Sequence, residues 1–235
     1  MKKTQLAKLG LTLGLVAAVG VGGTMALLSA KTDIVTNTFT VGNNLENSDL
    51  KLDEWPLQKD NKTANTAAGA RVTGLDFEDL MPLDIRDKDP MVQIKTDAAD
   101  CYVFVNVTGL DELKALDVTV DWNDSWRKLD GNNDIKNGVY YYAKEATEPG
   151  EKVNVVKPKE LPDNGAGILK ADGFGELPAL FTQVTVGKNS TICNSEGAKF
   201  KIKAIACAIQ EANIDSVDEA KKHFPTGFVD AFKVQ

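Results

Sequence analysis

The sequence predicts an all-β protein, a two-sheet β-sandwich with short helical insertions and a C-terminal helix. Three observations lead there: seven or eight runs with strand character, turn formers at short intervals between them, and few stretches with helical spacing. Residues 45–235 are long enough for one such domain.

Taken in order, Leu50–Trp55 alternates apolar and charged residues and stops at Pro56, as an edge strand does. Residues 58–70 are almost all polar or small and predict a mobile loop, because they offer too little apolar surface to offset the entropy of ordering them. Met91–Lys95 and Cys101–Val107 are the next strands; the short turn between them, Asp97 to Asp100, predicts an antiparallel pair. Leu110, Leu113 and Leu116 recur at three-residue intervals and fit one or two helical turns.

Val118–Trp122 and Gly138–Ala143 are two further strands, joined through the turn Asp130–Asp134. In the run Tyr140–Tyr141–Tyr142, strand alternation puts Tyr141 opposite the other two. Glu145–Ala179 carries Pro149, Pro158, Pro162 and Pro178 and no clear element, so it reads as an excursion over the surface. Leu180–Val186 returns to the sheet. Phe200–Ile209, the longest strand signal, ends apolar on both sides and predicts a central, covered strand. Ser216 and Glu219 have capping-box spacing, and Pro225 ends a helix of about two turns; the tail to Gln235 has no assignment.

The N-terminus is organised differently. Lys2, Lys3 and Lys8 precede an apolar run from Leu9 to Val21, which is shorter than the roughly 20 residues a membrane span needs. Thr24-Met25-Ala26 supplies small residues at the positions a signal peptidase reads. Residues 1–26 are therefore predicted to be a signal peptide cut between Ala26 and Leu27, giving a secreted, extracellular or cell-surface protein. Within residues 27–44, Ile34 opens a lone amphipathic strand. Val35, Phe39 and Val41 lie on one side of it and Thr36, Thr38 and Thr40 on the other, before the turn formers Gly42-Asn43-Asn44.

Composition and motifs exclude several functions. The chain carries a net charge of -7, and the signal would remove three lysines and no acid. With no basic stripe, nucleic acid is not an expected partner. A single histidine, His223, cannot form a two-histidine zinc peptidase site, and it reads instead as a charge partner at a helix C-terminus. Asp130-x-Asn132-x-Asp134 opens like a calcium loop, yet Ile135 and Tyr141 stand where the loop needs glycine and glutamate. No cofactor, metal ligand set or catalytic residue is assigned, and no enzyme activity is expected. Cys101, Cys193 and Cys207 form no regular framework; Cys101 and Cys207 read as small buried residues, with a bridge between them open if their strands are neighbours.

Several stretches together resemble the TasA/camelysin family of secreted proteins from Gram-positive bacteria, which a SipW-type signal peptidase releases. They are Gly22-Gly23-Thr24-Met25-Ala26, Thr32-Asp33, and Val35-Thr36-Asn37-Thr38-Phe39-Thr40-Val41-Gly42-Asn43. Further along, Leu80-Met81-Pro82, Lys88-Asp89-Pro90, Tyr102–Val107 and Ala204–Gln210 agree with it. The resemblance implies a jelly-roll-like fold. It also implies a structural subunit of biofilm matrix fibres that polymerises head to tail by donor-strand complementation, with Ile34, Val35, Phe39 and Val41 as the donor positions. Other matrix proteins are further partners on this reading. The alternatives are a strand paired within its own sheet, a monomeric adhesin or matrix accessory protein contacting its ligand through Glu145–Ala179, and, less favoured, a camelysin-like metallopeptidase.

Overall fold

The computed structural model describes residues 49–74, 80–132, 134–144, 152–161, 173–191 and 201–232. The expectations at Ala26, Leu27, Ile34, Val35, Phe39, Val41 and Cys193 fall outside them.

The described chain is all-β, in three antiparallel sheets. One sheet holds β1 (Leu50–Asp53), β3 (Met91–Lys95) and β8 (Phe174–Glu176), with β3 central. A second runs β10–β4–β7–β6, made of Lys203–Gln210, Cys101–Thr108, Gly138–Tyr142 and Trp126–Lys128. The third runs β2–β9–β5, made of Ile85–Asp87, Phe181–Val186 and Val118–Trp122. Helix α1 (Leu110–Ala115) buries Leu110 and Leu113, as the three-residue leucine spacing predicts. Helix α2 (Val217–Ala220) is capped by Ser216, whose hydroxyl accepts from the Glu219 N–H at 3.1 Å, and a 3-10 turn, Lys221–His223, continues it.

Strand alternation explains how the layers form. On β4, Cys101, Val103, Val105 and Val107 enter the main core with Leu50, Leu52, Val92, Ile94, Phe181, Val184 and Val186 from the two three-stranded sheets. Tyr102 and Phe104, on the opposite side, join Ile205, Cys207 and Ile209 in a second cluster. Ile214, Ala220 and Phe228 from the C-terminal segment cover that face. The tail is thus a working part of the fold. Tyr102 donates its hydroxyl to the Ile214 carbonyl at 3.1 Å, and buried Asn106 donates to the carbonyls of Phe228 (2.8 Å) and Val229 (3.1 Å). Each large apolar side chain buried this way contributes roughly 1.5–3 kcal/mol, so both faces of the β10–β4–β7–β6 sheet help to stabilise it.

Four expectations are corrected. β3 and β4 are not a hairpin: β3 is flanked by β1 and β8, and β4 by β10 and β7, so the turn after Lys95 carries the chain from one sheet to another. The Asp130–Asp134 turn joins β6 to β7, not β5 to β7, and β6 has the charged sequence Trp-Arg-Lys that gives no strand signal. The stretch 145–179 is not all surface excursion. Val155, Val156 and Phe174 are buried, Val156 bridges to Cys101, and β8 completes a sheet.

Residues 58–70 form the fourth correction. The Asp60 carboxylate accepts from the Lys62 and Thr63 N–H groups, Leu57 pairs with Ala64, and the Lys62 carbonyl accepts from Asp87 N–H at 2.8 Å. Asp87 accepts in turn from Ala64 N–H at 2.9 Å, Arg86 donates to the Asn61 carbonyl, and Lys62 pairs with Asp84 at 3.0 Å. A polar segment with no apolar anchor is therefore fastened along β2 by charge and backbone hydrogen bonds.

Candidate assembly edge

The long strand β10 is covered, as its sequence predicts, but it is not central. It stands at the margin of its sheet, and β4 is its sole ladder partner among the described residues. Its register with β4 is unbroken from Lys203 opposite Thr108 to Gln210 opposite Cys101. Ile205, Ala206, Cys207, Ala208 and Ile209 are all buried, the alanines facing the main core and the larger residues facing the C-terminal cover.

An edge strand normally presents its free N–H and C=O groups to water. Buried backbone groups are almost always hydrogen-bonded, and a strand buried on both faces with one ladder has a row of such groups directed at its open side. Small side chains sharpen the point. Ala206 and Ala208 are buried in the main core, with Ala204 packed against it, so the small side chains of this margin lie on its core face.

The other sheet margins are shorter. β1 has four residues, β5 five, and β2, β6 and β8 three each, against eight in β10. The edge of β2 is occupied by the fastened segment around Lys62. β1, where the described chain begins, comes within 8 Å of β10 between Cα atoms.

Other candidate chemistry is accounted for locally. His223 lies half exposed at the end of the C-terminal helical turn, with Nε2 4.0 Å from Glu219 Oε1. Asp130 and Asp134 are paired with Lys128 at 3.1 Å and Lys136 at 2.7 Å, which fills the turn with ammonium groups where a calcium loop would keep bare carboxylates. Among the described residues no three His, Cys, Asp or Glu side chains are grouped to hold a metal ion, and no helix is long and apolar enough to cross a membrane.

Cys101 and Cys207 are free and buried. Burial pushes the Cys101 thiol up to about 12 and the Cys207 thiol well above its ordinary value, so neither is a ready nucleophile. Tyr140 and Tyr142 face the main core while Tyr141 packs toward the second cluster, the alternation expected of a strand. The β10 margin itself was missed by sequence reasoning, which took continuous apolarity to mean a central position. The run of alternating alanines was the available signal. Compared with known protein families, curated proteins and solved structures, the chain matches none.

Proposed function

We propose that the protein is a secreted structural subunit of extracellular biofilm matrix fibres. Each copy donates residues Ile34–Val41 to the β10 margin of the next, completing a jelly-roll-like sandwich in which the added strand pairs along eight residues. Val35, Phe39 and Val41 fill the acceptor groove alongside the β10 margin of the next copy, and the threonines face out. The observation that carries this reading is a long strand buried on both faces that, among the described residues, has a ladder on one side only. Strand addition at such an edge gains main-chain hydrogen bonds for affinity and alternate pockets for specificity. A donor and an acceptor on different surfaces form a head-to-tail contact that does not close on itself, so the product is a filament. Processing by a SipW-type peptidase at Ala26–Leu27 frees the donor, and no catalytic step is involved.

The test compares protein beginning at Leu27, the same protein lacking residues 27–41, and a Phe39→Asp variant, by electron microscopy and sedimentation. Filaments from the first and folded monomers from the other two are expected. Monomers from all three, with the amides of residues 34–41 protected from exchange in the first, would mean that the strand pairs within its own body and would overturn the proposal.

A further inference from the structure

Lys51 and Asp53 of β1, Gln93 of β3 and Glu176 of β8 share the outer face of their sheet, because Leu50, Leu52, Val92 and Ile94 take the core face. Arg71 lies across this face with its side chain only 3% exposed. Its Nε donates to Asp53 Oδ1 at 2.5 Å, and one terminal nitrogen donates to the Asp53 and Asp89 carbonyls at 3.1 and 3.2 Å. That nitrogen is 3.6 Å from the Asp89 carboxylate, and the other is 3.8 Å from Glu176 Oε1. The guanidinium also sits over the Trp55 ring, 4.8 Å from its centre.

Carboxylates crowd this face. Asp53, Asp89 and Glu176 surround one guanidinium. Lys88 contacts both carboxylate oxygens of Glu54 at 2.7 and 2.8 Å, and Lys51 lies over the Phe174 ring at 3.8 Å. Burying neighbouring carboxylates together disfavours their charged forms. Gln93, 1% exposed, donates its amide nitrogen to Asp53 Oδ1 at 2.9 Å and Glu176 Oε1 at 3.3 Å, while its own oxygen accepts from no group among the described residues.

A proton meets both needs. We propose that the Arg71 cluster is a proton-binding clasp, in which Asp53 takes up a proton on mild acidification and closes a two-bond acid–amide ring with Gln93. In that ring the Gln93 nitrogen keeps its bond to Asp53 Oδ1, and the new O–H donates to the orphan Gln93 oxygen. The clasp tightens β1 and the segment around Arg71 onto the sheet.

The electrostatic environment agrees. Burial pushes the Asp53 carboxyl above its ordinary 3.8 against the pull of Arg71; burial also raises Asp89, against the Trp55 N–H and Arg71. A carboxyl raised in the folded state binds its proton more tightly there than in the unfolded chain. It therefore adds stability as pH falls through the folded value, and the gain is complete below the unfolded one. The inference stands apart from the fibre reading, since it concerns the folded body of a single copy.

The experiment is a carboxyl-carbon NMR titration of the Phe39→Asp protein, a monomer whether or not the fibre reading holds, with urea unfolding at pH 7 and pH 4 for this background, wild type at Asp53, and for the same background carrying Asp53→Asn. Asp53 is expected to titrate above the ordinary aspartate value. The wild-type urea midpoint should move up on acidification by more than the variant's. An Asp53 carboxyl that titrates at or below the ordinary value overturns the proposal, and so does an equal shift in both proteins. If Asp53→Asn fails to fold, the wild-type titration decides alone.

Discussion

Cys207 stands directly across the ladder from Phe104 and shares its side of the sheet, whereas Cys101, opposite Gln210, points into the main core. Their strands are neighbours, yet the sheet itself separates the two thiols, and that removes the bridge the sequence left open. Thiol labelling should leave both cysteines unmodified in the native protein and modify both in denaturant. Cys207→Ser should cost about 1–3 kcal/mol in urea unfolding, the cost of a poorly partnered buried hydroxyl. Rapid native labelling of Cys207 would show that the C-terminal cover opens.

Asn106 is a polar residue on a largely apolar strand, and it holds the Phe228 and Val229 carbonyls. Replacing it with alanine leaves two acceptors without their donor. Asn106→Ala should therefore lower stability by about 1–3 kcal/mol and speed amide exchange in residues 214–232 more than in β4. An equal effect in both regions would mean that the tail and the sheet open together.

Asp84 behaves in the opposite way to Asp53. Burial pushes its carboxyl up, but hydrogen bonds from Arg86, Lys62 and the Met81 N–H outweigh that and hold it at about 2. A depressed folded value contributes stability that is present above the unfolded value of 3.8 and lost as pH falls toward 2. Between those limits, wild type should lose stability faster than Asp84→Asn, which should already be weaker at neutral pH. Circular-dichroism melts across that range would show it.

Gly109, which precedes α1, has φ of 96°, and a Cβ placed there would lie 2.2 Å from the Lys201 carbonyl oxygen. Backbone cannot swing aside as a flexible side chain can. Gly109→Ala should therefore cost more than the roughly 1 kcal/mol that positive φ alone accounts for, read as a lowered melting temperature.

What the sequence made legible was whatever its own periodicity encodes. β4 and β10 are long apolar runs, α1 carries leucines at helical spacing, and Ser216 caps α2 as its capping-box pattern implies. Short strands defined by their neighbours were not legible. Phe174-Gly175-Glu176 becomes β8 because β3 offers an edge, and Trp126-Arg127-Lys128 becomes β6 because β7 does. Nor does spacing reveal pairing, as β3 and β4 show, since the partners that claim each edge lie far away in the chain. Residues 58–70 looked unanchored because their anchors, Arg86 and Asp87 on β2 and Asp84 just before it, lie elsewhere in the chain. The margin of β10 was hidden for a related reason: burial on two faces can come from a sheet beneath and a tail above, with a ladder on one side among the described residues.

The ladder joining residues 101–108 to residues 203–210 also sets a timetable. A nascent chain has made β4 long before β10 exists, and this ladder cannot close until residues 203–210 have been synthesised. Contacts so distant in sequence form slowly. Until then residues 101–108 wait without the neighbour that completes this edge of their sheet.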